Sequence, residues 1–145
     1  MESLYLDNCC FNRPFDDQTQ TKIKVETLAK LAIQKQIIEG RYRLIWSYIL
    51  QHENRENPFI IKRENTSKWQ EVAHILVGGD DMTSYLIGFY EAMGVKPKDA
   101  AHLACATYAK ADYFITTDRG LTKKQNLIKK IRIVNPVDFI AEKGD

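Results

Sequence analysis

The chain has 145 residues with a net charge of +2, 44% hydrophobic and 28% charged residues. That length fits one domain, residues 1–145, with enough chain to bury a sizeable core, and the composition is that of an ordinary globular protein. So small a charge does not by itself announce a nucleic-acid binder, no apolar run nears a membrane span, and the start lacks a secretion signal's basic-then-apolar pattern, so no membrane association and a cytoplasmic location are expected.

In chain order, Leu4 to Leu6 reads as a short buried strand. Asn8 to Gln20 is polar, holds Pro14 and reads as a loop. From Thr21 to Glu39 the apolar residues Ile23, Leu28, Leu31, Ile33, Ile37 and Ile38 recur at helical spacing, and Gly40 stops the helix. Tyr42 to Trp46 is a second strand. Ser47 caps a helix that runs through Glu53 toward Asn57, just short of Pro58. Asn65 to Val77 and Met82 to Met93 read as helices, broken by Gly78-Gly79 and Gly94. Pro97 opens a helix that reaches about Lys110. Tyr113 to Thr116 is a strand, Leu121 to Lys130 a basic amphipathic helix, and Ile131 to Val134 the last strand before Pro136 and a short terminal helix. Strands alternating with helices predict an α/β fold with a parallel sheet covered on both faces. Cys9, Cys10 and Cys105 have neither zinc spacing nor a disulfide framework and read as small buried residues. There is no Gly-x-Gly-x-x-Gly and no phosphate-binding Walker loop, which argues against a nucleotide-cofactor enzyme.

Three acids follow the strand–helix rhythm. Asp7 ends the first strand, Asp118 follows the strand at Tyr113, and Asp99 opens the helix after Pro97. In parallel sheets the working site lies beyond the carboxyl ends of the strands. Taken singly, Asp118 is a helix cap, Asp99 a first-turn acid suited to the helix dipole, and Asp7 a turn former. Capping chemistry does not ask three acids to converge on one sheet edge, and clustered carboxylates raise one another's pKa unless a cation neutralises them. Oxygen donors without Cys or His suit Mg²⁺ or Mn²⁺. A fourth acid is expected from Ser47 to Asn57. Glu53 and Glu56 both qualify, and Glu53 lies nearer the strand end at Trp46.

At these residues the chain resembles the PIN-domain family of small metal-dependent nucleases, which includes the VapC-type toxins of bacterial toxin–antitoxin pairs. The resemblance covers nearly the whole chain. It runs through Leu4-Tyr5-Leu6-Asp7, Lys96-Pro97-Lys98-Asp99-Ala100-Ala101-His102-Leu103-Ala104, Ala111-Asp112-Tyr113-Phe114-Ile115-Thr116-Thr117-Asp118 and Val134-Asn135-Pro136. The loop Asn12-Arg13-Pro14-Phe15-Asp16-Asp17-Gln18 is similar to a subgroup of bacterial members, whose segment with a Glu before Asn-Pro favours Glu53 over Glu56. The resemblance implies a three-layer α/β/α sandwich with a central parallel sheet of four to five strands. It also implies Mg²⁺ or Mn²⁺ held by Asp7, Glu53, Asp99 and Asp118, with Thr116 supporting the last acid, and a homodimer. Two positions depart from the pattern: Asn8 stands where Thr or Ser is usual, and Arg119-Gly120 follows the last acid where many members have a further acid. Asn8 still has an amide to donate to a carboxylate or a phosphate.

His102 lies one helical turn after Asp99, placed either to orient a carboxylate or to pack at the sheet edge. Lys123 and Lys124 read as a solvated face or as contacts to RNA phosphates, and Arg13 as a phosphate contact from the loop after Asp7. Two functions follow. The first is an endoribonuclease that hydrolyses RNA with metal assistance, in a narrower form the toxin of a pair with a small antitoxin protein. The second is a PIN-fold module without useful catalysis that acts through a protein partner.

Overall fold

The computed structural model describes residues 1–143. Five strands form one sheet in the order β3-β2-β1-β4-β5, and every pairing is parallel. They are β1 (Ser3–Leu6), β2 (Arg43–Ser47), β3 (Ile75–Val77), β4 (Tyr113–Ile115) and β5 (Arg132–Val134). Every residue of β1 is buried, and so are Leu44 to Ser47 of β2. Successive side chains of a strand point to opposite faces, so burial at both parities means that helices cover both sides. The architecture is the α/β sandwich expected from the order of elements. Among the described residues, no helix is long and apolar enough to cross a membrane.

The connecting helices are α1 (Asn8–Asn12), α2 (Thr21–Ile38), α3 (Tyr48–Arg55), α4 (Ile60–Val72), α5 (Asp81–Ala92), α6 (Pro97–Tyr108), α7 (Arg119–Thr122) and α8 (Pro136–Lys143). Their ends follow local chemistry. Ser47 caps α3 by accepting from the Leu50 amide, and Asp80 caps α5 in a capping box with Thr83. Gly40 and Gly94 take positive φ (82° and 89°) just past α2 and α5, where a side chain would be strained.

Four segments depart from the sequence expectation. The polar stretch after Asp7 is not all loop: α1 and a 3₁₀ turn at Arg13–Phe15 form there, because the Asp7 carboxylate accepts from the Asn8 amide and starts the helix. The helix expected from Asn65 to Val77 instead spans Ile60–Val72. Ala73 then turns to extended backbone, the His74 amide donates to Leu44 O at 2.9 Å, and Ile75–Val77 adds β3 to the sheet edge. A short apolar run cannot show by periodicity alone which of the two it will become.

The basic helix expected from Leu121 to Lys130 shrinks to α7. The Gln125 side chain holds the following segment instead, donating to Ile128 O and Ile131 O at 2.8 and 3.0 Å. In α2 the apolar residues divide between two faces. Ile33 and Ile37 are buried with Glu26, Thr27 and Lys30, while Leu28, Leu31 and Ile38 face outward.

Candidate active site

The acids gather because each sits where a strand hands over to a helix. Asp7 follows β1, and its amide extends the ladder by donating to Ile115 O at 2.9 Å. Asp118 lies just past β4 and caps α7, accepting from the Gly120 amide at 2.8 Å. Asp99 stands in the first turn of α6, set there by Pro97. Glu53 is carried by α3, which starts directly at the end of β2. Asp7, Glu53, Asp99 and Asp118 line one cleft of about 400 Å³, together with Asn8 and His102. Glu56, the other candidate, is exposed and pairs with His52.

The support beneath the acids is specific. The Thr116 hydroxyl donates to Asp7 Oδ2 at 2.8 Å and accepts from the Asp118 amide at 3.1 Å. It thus serves both the first acid and the last, where the resemblance implied only the last. Thr116→Val keeps the volume and removes the hydroxyl from a fully buried position. It should cost about 1–3 kcal/mol in urea unfolding, because the nearly buried Asp7 carboxylate loses a donor.

His102 is 2% exposed, so it packs at the sheet edge, and both of its ring nitrogens have partners there. Its Nε2 bonds Glu53 Oε1, and its Nδ1 lies 2.6 Å from the Tyr5 hydroxyl. Tyr5 is in turn 2.7 Å from Ser47 Oγ. Ser47, Tyr5, His102 and Glu53 thus form a buried polar chain from the cap of α3 to the cleft. Neutral His102 accepts from the Tyr5 hydroxyl and donates to Glu53. Protonated His102 donates to both, and Tyr5 then donates to Ser47. The chain therefore satisfies either state.

Burial raises the Asp99 carboxyl above its ordinary value, and the charges of Asp7 and Asp118 push it further. Burial alone would also raise Glu53, but its bond to His102 and the nearby positive charges bring it below the usual range. Burial alone would lower His102, yet Glu53, Asp7 and Asp99 together raise it. Opposite charge within a few ångströms favours the ionised form of each partner.

Among the described residues, no group of three or more His, Cys, Asp or Glu side chains is placed to hold a metal ion. Glu53 is turned to His102, and Asp7 is taken up by Thr116 and the Asn8 amide. The donor set nevertheless has the chemistry of a hard divalent cation: four carboxylates around one cleft, two of which raise the pKa of a third. Asn8 donates to Glu53 Oε2 at 3.3 Å and leaves its own buried Oδ1 without a hydrogen-bond partner. Asn8 thus holds a carboxylate, as its amide allows, and presents an additional oxygen acceptor.

The cleft's lining also includes Asn12, Asp16 and Lys98, which the sequence did not single out, and Cys9, which was expected to be buried and is only half-buried. Lys98 had a signal in its place beside Asp99. Cys9 lies two residues after Asp7, with its thiol 3.4 Å from Thr116 Oγ1. The basic candidates stand apart. Arg13 does not line the cleft; it bonds Asp16 and buried Glu26 at 2.9 Å each, tying the 3₁₀ turn to α2. Two carboxylates already meet its charge, so in this structure its observed role is to join these two elements. Lys123 is exposed and Lys124 half-buried, and neither lines the cleft.

No protein-family model matches the chain, and no curated protein matches it by sequence. Solved structures match its fold. One is VapBC2 from Rickettsia felis bound to a DNA fragment from its promoter, with a TM-score of 0.58 and 10% identity over 92% of this chain and 98% of the other. Another is DNA-bound VapBC from Salmonella typhimurium, with a TM-score of 0.52 and 16% identity over 94% and 99%. At such identities the likeness is one of fold, and it spans nearly the whole of each chain. The protein therefore has a PIN-like fold, the α/β architecture shared with chains of these VapBC toxin–antitoxin structures.

Proposed function

We propose that the protein is a Mg²⁺- or Mn²⁺-dependent endoribonuclease, and that it acts in the cytoplasm as the toxin of a toxin–antitoxin pair. The observation that carries the reading is the convergence of Asp7, Glu53, Asp99 and Asp118, from four separate segments, on one cleft. The fold likeness to VapBC structures supports the toxin–antitoxin setting and an antitoxin protein as partner. A homodimer belongs to the same reading.

The four acids, with Asn8 Oδ1 beside them, would hold the metal. When bound, such an ion activates water and offsets the negative charge that grows on a phosphodiester under attack. The chain's own residues do the rest. His102 and Asn8 hold the two oxygens of Glu53, so the carboxylate keeps one orientation. Thr116 fixes Asp7 relative to Asp118. Lys98, exposed at the cleft, would meet a substrate phosphate.

The test is a thermal melt of wild type and Asp7→Asn in EDTA and then in Mn²⁺, followed by RNA cleavage under both conditions. Mn²⁺ should raise the melting temperature of wild type alone, and cleavage should need the metal. Stabilisation by Mn²⁺ without cleavage of any RNA would favour a metal-binding module that acts through its partner. No response to the metal in either assay would remove the nuclease reading.

A further inference from the structure

A second cleft lies between α2 and α4, beside the segment Phe11 to Phe15, with a volume of about 270 Å³. Three of its lining residues are aromatic: Phe11, Phe15 and Trp69. Three others are buried polar groups: Lys30, Gln34 and Thr66, at 5%, 4% and 2% exposure. Gln34 Nε2 and Thr66 Oγ1 have no hydrogen-bond partner. Lys30 makes no ion pair among the described residues, and its ammonium lies 5.8 Å from the Phe11 ring centroid. Burial brings its pKa down to about 8, so the charge is held at a cost. None of the described residues lining this cleft is acidic, and Lys30 is the one lysine among them.

Orphaned polar groups in a protein interior are rare, and two residues that carry one line this single cleft together with a lysine that makes no ion pair among the described residues. We propose that this cleft is a ligand site for a carboxylate carried on a flat apolar body, an aryl-carboxylate group. The carboxylate matches one ammonium in charge, and its two oxygens accept from the Lys30 ammonium, the Gln34 amide and the Thr66 hydroxyl. The apolar body lies against the three rings. A phosphate fits poorly, because it carries more charge than one lysine balances and has no use for aromatic walls. The site is separate from the acidic cleft and does not rest on the nuclease reading.

Trp69 is a built-in reporter, since the other tryptophan, Trp46, lies outside this lining. The experiment titrates phenylacetate, and its neutral analogue phenylacetamide, against tryptophan fluorescence of wild type and Lys30→Met. Phenylacetate should give a saturable change, with phenylacetamide and Lys30→Met each weakening it at least about tenfold. An acetylated Phe-Asp amide peptide is a second arm. Tighter binding of the peptide assigns the carboxylate to a polypeptide, and tighter binding of phenylacetate assigns it to a free small acid. Equal binding of acid and amide by wild type, undiminished binding by Lys30→Met, or no saturable change would overturn the proposal. The comparison of acid with amide needs only wild-type protein, so it stands even if the variant folds poorly.

Discussion

Asp99→Asn is expected to lose RNA cleavage while making the metal-free protein more stable. Asp99 is the acid whose carboxyl is pushed upward by burial and by the charges of Asp7 and Asp118. A raised folded pKa means a penalty that is absent below the unfolded value of about 3.9 and grows to its full size above the folded one. At neutral pH wild type therefore bears the repulsion, and asparagine removes it while keeping the side-chain shape. Asp99 is half-buried, so solvent screens part of the effect, and a gain of about 0.5–1 kcal/mol in EDTA is reasonable. Cleavage should fall at least about 100-fold, the upper scale for groups that only support metal ligands. Urea melts in EDTA and a cleavage assay in Mn²⁺ check the two halves separately. A variant that cleaves like wild type would remove Asp99 from the chemistry. One that is less stable than wild type in EDTA would show that its carboxylate is a structural partner.

His102→Ala should be the more damaging change to the fold. It empties a buried position, takes one of two partners from the Tyr5 hydroxyl and removes the donor to Glu53 Oε1. Cavity and lost hydrogen bonds together suggest a loss of about 2–4 kcal/mol. His102→Gln, which keeps a donor near Glu53, should recover part of it.

The pH dependence has a definite sign. His102 is raised in the folded state, so its contribution is complete below the ordinary histidine value near 6.5 and disappears as pH rises through the folded value. Glu53 is lowered, so its contribution is present above about 4.3 and disappears as pH falls through the folded value. The pair therefore stabilises the wild type most in mildly acidic solution. Stability of His102→Ala relative to wild type, measured in EDTA from pH 4 to 9, should show its largest deficit between those limits. A deficit that is flat with pH would mean that His102 acts by packing alone.

The sequence by itself determined the order of strand, acid and helix. Parallel β/α units place the residues after their strands at one edge, so Asp7 and Asp118 could be assigned to that edge from their positions alone. Pro97 and Ser47 likewise placed Asp99 and Glu53 on helices whose starts are local matters of capping. The stops at Gly40 and Gly94 were legible for the same reason: positive φ is a property of the residue.

Only the tertiary structure decided what each group meets. Nothing local brings Tyr5 to His102, 97 residues apart, or His102 to Glu53, 49 apart. Which groups the histidine meets could not be read before its neighbours were in place. The same holds for Ile75–Val77, a strand only because an open edge of β2 was there to receive it, and for Arg13, whose charge was taken by Glu26 from another element. In α2 the inward face mixes Ile33 and Ile37 with polar side chains, and the buried Lys30 could not be inferred from a pattern that counts apolar residues. Backbone preference acts within a few residues and so is written in the chain. Pairing of side chains depends on distances that close only when the sheet has formed.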